Sequence, residues 1–239
     1  MSRKTFESVL ARVGARPLGV VSQDATRHYS ETLSKEVAHW LRDLVIAESI
    51  GATVLTPEAK IPTIYGGKSL DVGVVDGRGY LVLDLSIKTF NFKDRRTRNY
   101  RHNYTGRFYE LLGEELDLRR SYRWATLVAL IFLPSDSTSD SNPSSFAHAV
   151  RQYSKILNRD HEQGVGFEHV FIAVHSEVGS IYFFDAGSMP PKTGHPKQSD
   201  RLSLDEMLKV MRGTVTTRSS RVAKDGLPTR IRFRYLDPA

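Results

Sequence analysis

The sequence predicts an α/β fold, a mixed central β-sheet flanked by helices. Three observations carry this expectation. Residues 69–88 hold two short apolar runs around Asp76-Gly77-Arg78-Gly79. Asp-Gly between β-branched runs marks a hairpin, because Gly accepts φ > 0 without steric cost. Residues 125–133, Ala-Thr-Leu-Val-Ala-Leu-Ile-Phe-Leu, are almost continuously apolar. That is expected of a strand covered on both faces. Stretches of helical periodicity stand before and between these segments, and the order helix, strand, hairpin, helix, strand belongs to layered α/β proteins.

In chain order, a short helix is expected over roughly 4–13. Ser30 can cap a second helix, Ser30–Ser49, in which Leu33, Val37, Trp40, Leu41, Leu44 and Val45 recur at helical spacing. Glu36 borders its apolar stripe and Glu48 lies within it; both are read as ordinary helix-surface acids. A short strand, Ala52–Leu55, leads through Pro57 and Pro62 to Gly66-Gly67 and the hairpin. Thr105 can cap a helix over 105–120, with Tyr104, Phe108, Leu111, Leu112 and Leu116 as its apolar stripe. Arg107, Glu110, Glu114 and Asp117 stack on another face. Ser135–Ser145 reads as a flexible loop, Phe146–Leu157 as a helix, Phe167–His175 and Ser180–Asp185 as strands, and Leu202–Arg212 as a short helix. His169 and His175 are read as satisfied or solvated side chains, since no second ligand cluster accompanies them. Arg230–Tyr235 alternates basic and apolar residues, as an edge strand with one basic face would.

At 239 residues the chain suits a single domain, with a core over about 30–185 and a C-terminal basic extension over about 200–239. It contains no cysteine, which excludes disulfides and thiolate metal sites and suits a reducing cytoplasm. No apolar run approaches the roughly 18 residues of a membrane helix, so no membrane partner is expected. Met1–Glu7 is not followed by an apolar segment, so no signal peptide is expected. The net charge of +7 and isoelectric point near 9.6 favour a polyanionic partner. There is neither an internal repeat nor a Gly-rich phosphate loop.

The hairpin carries the chemistry. In its second strand Leu81, Leu83, Leu85 and Ile87 point one way, and Asp84, Ser86 and Lys88 the other. A turn over 76–79 places Asp71 opposite Asp84. Two carboxylates and a lysine inside apolar strands are costly to bury unpaired, and can hold a divalent cation and a phosphate together. The following segment, 89–103, interleaves Lys93, Arg95, Arg96, Arg98 and Arg101 with Phe90, Phe92 and Tyr100. Basic residues with aromatics beside such a site suit contact with a phosphate backbone.

These residues resemble the core of the PD-(D/E)xK nuclease superfamily, the fold of many Type II restriction endonucleases. Asp71 matches the first Asp of the motif and Lys88 its Lys. Ser86 stands where the family usually has its second acid. The segment after Lys88 resembles the subgroup in which that acid comes from the next helix: Asn103–Arg107, Glu110, Glu114 and the strand 125–134. The resemblance covers about residues 68–134.

It implies a restriction-endonuclease-like core and a Mg²⁺-dependent endodeoxyribonuclease, with Mn²⁺ able to substitute. Asp71 and a second carboxylate would bind the metal, and Lys88 would act on the attacking water or the phosphate. The second acid is Asp84 by hairpin geometry or Glu110 by family resemblance, with Glu114 and Glu36 as further candidates. Glu110 is favoured. Arg95, Arg96, Arg98, Arg101 and Arg107 would meet double-stranded DNA, and a homodimer would cut both strands. Two rivals are a nucleic-acid-binding module with lost activity, motivated by Ser86, and a partner-activated defence effector. The recognition sequence is not readable from the chain.

Overall fold

In the computed structural model, residues 5–17, 21–50, 53–157, 166–189 and 194–225 are described, the last six without their side chains. Helices α1 (Phe6–Val13) and α2 (Gln23–Ala47) precede a short strand β1 (Thr53–Val54). A small hairpin follows, β2 (Lys60–Thr63) and β3 (Gly66–Ser69), then β4 (Val72–Val75) and β5 (Leu81–Thr89). Next come α3 (Tyr104–Ser121), β6 (Thr126–Pro134), α4 (Ser145–Tyr153), β7 (His169–His175), β8 (Ile181–Asp185) and α5 (Leu204–Asp225).

The fold is α/β with a mixed six-stranded sheet in the order β1-β4-β5-β6-β7-β8. β5, β6 and β7 run parallel, and β1–β4, β4–β5 and β7–β8 pair antiparallel. Parallel neighbours need crossover helices, and α3 and α4 supply them. On one face α1, α2 and α5 pack through Phe6, Trp40, Leu41 and Met207 onto Leu83, Leu85, Val128 and Phe132. On the other, α3 and α4 pack through Leu111, Leu118, Phe146 and Tyr153 onto Leu127, Ala129, Ile131 and Ile172. Every residue of β6 is buried, as expected for a central strand covered twice. No helix among the described residues is long and apolar enough to cross a membrane.

Several boundaries differ from the sequence reading. α2 starts at Ser22, whose hydroxyl accepts from Ala25 N–H, not at Ser30. The apolar stripe begins late, but polar residues 23–30 extend the helix because nothing in them breaks it. The Pro-punctuated stretch before Asp71 contains the β2–β3 hairpin. α3 begins at Tyr104 after Asn103 in the left-handed region, without a capping side-chain hydrogen bond, and Thr105 lies inside the helix. Residues 135–145 are well tied: they begin with a 3₁₀ turn, and Asp140 accepts from Ser145 N–H at 2.8 Å and Tyr100 N–H at 3.1 Å. α5 is twice the expected length and packs Met207, Leu208, Met211 and Val215 into the core. The expected edge strand at 230–235 lies outside the described residues.

The hairpin register also differs. Gly73, not Asp71, pairs with Asp84, and Val72 pairs with Leu85. The register shifts between Val74 and Val75. Asp76 explains the longer turn: its Oδ1 accepts from both Arg78 and Tyr80 N–H at 2.9 Å, holding the chain in a wide loop with Gly79 at φ +77°.

Candidate active site

Asp84, Ser86 and Lys88 lie on the sheet face covered by α3, and they converge with Asp71 on one cavity. Its volume is about 230 Å³, and its lining includes Ser34, Lys68, Asp71, Asp84, Ser86, Lys88, Thr89, Arg107 and Glu114. Asp71 sits just before β4. One of its carboxylate oxygens accepts the Ile87 N–H at 2.7 Å. Asp84 is 1% exposed, and Ser86 Oγ donates to its Oδ2 at 3.0 Å. Lys88 Nζ lies 3.0 Å from Glu114 Oε1 and 3.8 Å from Glu110 Oε2.

Burial pushes Asp84 up to about 7, and the neighbouring Glu114 and Asp71 carboxylates push the same way against Lys68. Burial also raises Asp71, opposed by the Ile87 N–H and Lys88. Burial would raise Glu114 too, but Lys88 and Lys68 outweigh it and hold that carboxyl below its usual value. The cavity thus contains one acid already neutralised by lysines and two that lack a full counter-charge.

The acid of α3 that lines the cavity is Glu114, not the Glu110 favoured by the sequence. Glu110 is outside the cavity lining, half-exposed and tied to Arg107 at 2.7 Å. Glu114 reaches in from one turn later on α3 and is mostly shielded. Periodicity placed both on one face. Only the seat of α3 in the fold brings Glu114 closer to Lys88, at 3.0 Å against 3.8 Å for Glu110. Glu36 and Glu48 are ordinary surface acids as read, paired with Arg12 and Arg212. Lys68, Ser34 and Thr89 escaped the sequence reading. Lys68 lies in a Gly-rich stretch that reads as a linker, and the other two are joined only by a fold-dependent contact, Ser34 Oγ to Thr89 Oγ1 at 3.2 Å.

The donors fit a hard divalent cation. Mg²⁺ is usually held by one or two carboxylates plus water and substrate oxygens. Asp71 and Asp84 supply two such carboxylates, each raised by burial. Among the described residues no three His, Asp or Glu side chains form a closed ligand set. An all-protein cage is therefore not what this site offers.

The cavity opens at the C-terminal end of β5, where open α/β sheets commonly bind ligands. Asp71, Ser34, Thr89 and Arg107 also line a groove of about 1910 Å³. One wall is the polar face of α2, where Arg27 and Lys35 alternate with Asp24 and Glu31; the other is the 89–103 segment with Lys93, Arg95, Arg98 and His102 beside Asp94. Of the five arginines expected at nucleic acid, Arg95, Arg98 and Arg107 line the groove. Arg96 is exposed but does not line it. Arg101 turns inward to His148 Nε2 at 2.6 Å and Ser141 Oγ at 3.3 Å, so it fastens the loop to α4. Arg16, unread in the sequence, reaches the groove and donates to Tyr100 OH at 3.0 Å and Asn91 O at 3.2 Å.

Two clusters away from the cavity are structural. Glu168 takes Arg119 Nη2 at 2.5 Å, Arg218 Nη1 at 2.7 Å and the Leu127 N–H at 2.7 Å, joining α3, α5 and β7. Arg218, read as part of a basic tail, is therefore buried. His175 is also buried, so of the two readings, satisfied or solvated, the solvated one is excluded. His169 bonds Thr214 Oγ1 at 2.7 Å. Comparison of the chain with protein-family models, curated proteins and solved structures finds no match.

Proposed function

We propose that this chain is a Mg²⁺-dependent endodeoxyribonuclease with a restriction-endonuclease-like core. The observation that carries the reading is the convergence of Asp71, Asp84, Glu114 and Lys88 on one cavity, which shares Ser34, Asp71, Thr89 and Arg107 with a wide groove of mixed charge. Asp71 and Asp84 would hold the cation, with Glu114 beside them on α3. When bound, Mg²⁺ lowers the pKa of water and neutralises charge on the scissile phosphate. Lys88, held by Glu114, points its ammonium at the same space. There it orients the attacking water or stabilises charge that develops on the phosphate. Ser86 stands where the superfamily usually has an acid and aligns Asp84 through its hydroxyl. The groove cations hold duplex DNA by its phosphates. A homodimer is the simplest way to cut both strands.

The test is incubation of purified protein with long duplex DNA in Mg²⁺ and in EDTA. Discrete fragments in Mg²⁺ alone are expected. Ser86, standing where the superfamily usually has an acid, motivates one rival, a nucleic-acid-binding module without cleavage. DNA binding with no cleavage in Mg²⁺ or Mn²⁺ would establish that rival.

A further inference from the structure

We propose that Lys68 is a positioning residue of this site, delivered by the β2–β3 hairpin. The proposal rests on the nuclease reading. Lys68 Nζ lies 3.4 Å from Glu114 Oε1, the same oxygen that takes Lys88 Nζ at 3.0 Å. The side chains of Lys68, Lys88 and Glu114 are only 17%, 10% and 19% exposed. Exposed ion pairs contribute little, but charges shielded from water must be paired. Two ammoniums on one oxygen fix the carboxylate from two sides, and through it they fix Lys88.

The hairpin is built to hold that arrangement. Thr63 Oγ1 donates to Asp117 Oδ2 at 2.9 Å, Ile64 N–H donates to Ser121 Oγ at 3.0 Å, and Tyr122 OH donates to Pro62 O at 2.6 Å. Lys68 and Glu114 therefore stand on two elements fastened to each other. β3 also runs through Leu70 directly into Asp71, so one short segment sets both Lys68 and the first acid. Lys68 lines the inner cavity and not the DNA groove. Its effect should fall on turnover and not on DNA affinity.

The experiment compares Lys68→Met and Lys68→Arg in steady-state cleavage of duplex DNA. For Lys68→Met a fall in kcat of about 10-fold or more, with KM for DNA within about two-fold, is expected, the pattern of an interaction lost in the transition state. Lys68→Arg should recover much of the loss. The ¹H–¹⁵N ammonium signals of Lys68 and Lys88 give a second readout that needs no cleavage. Both should be protected from solvent exchange in the wild type and lose that protection in Glu114→Gln. Wild-type kcat in Lys68→Met, or a Lys68 signal indifferent to Glu114→Gln, overturns the proposal. A wild-type protein that cuts no DNA overturns the nuclease reading instead, while the ammonium signals still decide whether the clamp exists.

Discussion

The Asp71 carboxylate accepts the backbone N–H of Ile87 at 2.7 Å, so the acid ahead of the hairpin is fastened to the strand after it. This bond closes the open end of the β4–β5 pair and places Asp71 beside Lys88. The alignment depends on the wide Asp76 turn, because a tighter turn would move every pairing and carry Asp71 away from Ile87. The acid is thus positioned by main chain, while Lys88 is positioned by Glu114 across the sheet-to-helix interface.

Asp71→Ala and Lys88→Ala should abolish cleavage and leave a folded protein. On the nuclease reading, Asp71 would hold the cation and Lys88 would act on the attacking water or the phosphate. Losses of roughly 10²-fold or more are expected for groups of this kind. Near-native cleavage by either variant, measured on plasmid DNA in Mg²⁺, would show that the reaction happens elsewhere.

Glu114 and Glu110 separate the inner acid from the outer one. Glu114→Gln should be inactive, because it frees Lys88 and Lys68 together. Glu110→Gln should keep cleavage within about three-fold of wild type, since an exposed Arg–Glu pair contributes little. The reverse pattern in parallel rate measurements would restore Glu110 as the relocated acid.

Asp84 predicts a conflict between stability and activity. Its folded pKa is raised to about 7 by burial first and then by the nearby carboxylates. A raised carboxylate favours folding below its unfolded pKa of about 3.9, and that contribution disappears as pH rises through 7. In EDTA at pH 8, Asp84→Asn should therefore be more stable than wild type, by on the order of 4 kcal/mol, and the gap should close towards pH 4. The same variant should be inactive in Mg²⁺. Equal urea midpoints at pH 8 would mean that Asp84 is not the strained acid of the cavity.

The layered α/β fold, β5 and β6 were legible because their apolar patterns have one physical reading. Asp71, Asp84, Ser86 and Lys88 could be gathered from the sequence because hairpin residues are local neighbours. The register was not legible, since it depends on a side chain, Asp76, that bonds two backbone amides. Glu114 was interchangeable with Glu110 until α3 had a seat on the sheet. Lys68 and Arg16 reach their partners across the fold, with no periodic signal to mark them.

The groove predicts unequal roles for the loop arginines. Each phosphate contact adds about −0.9 to the log–log salt slope on duplex DNA. Replacing Arg95 and Arg98 with Ser should flatten the slope by roughly one to two units. Arg101→Ser should leave the slope unchanged and lower the melting temperature, because it breaks the contacts to His148 and Ser141. A slope that responds to Arg101 but not to Arg95 and Arg98 would place the DNA path away from this groove.

His175 should make the fold acid-sensitive independently of the cavity. It ends β7 beneath α1, with its ring centroid 5.2 Å from that of Phe6. Burial lowers its pKa to about 4, well under the usual value of 6.5. A base depressed in this way contributes its full stability above pH 6.5 and loses it as pH falls through 4, because the unfolded chain takes up the proton first. The shift corresponds to about 3 kcal/mol over that window. His175→Phe retains an aromatic ring against Phe6 and removes the titration. The wild type should lose stability relative to His175→Phe as pH falls from 6.5 to 4, read by urea unfolding at each pH. Parallel curves for the two proteins would show that His175 is not held neutral in the folded state.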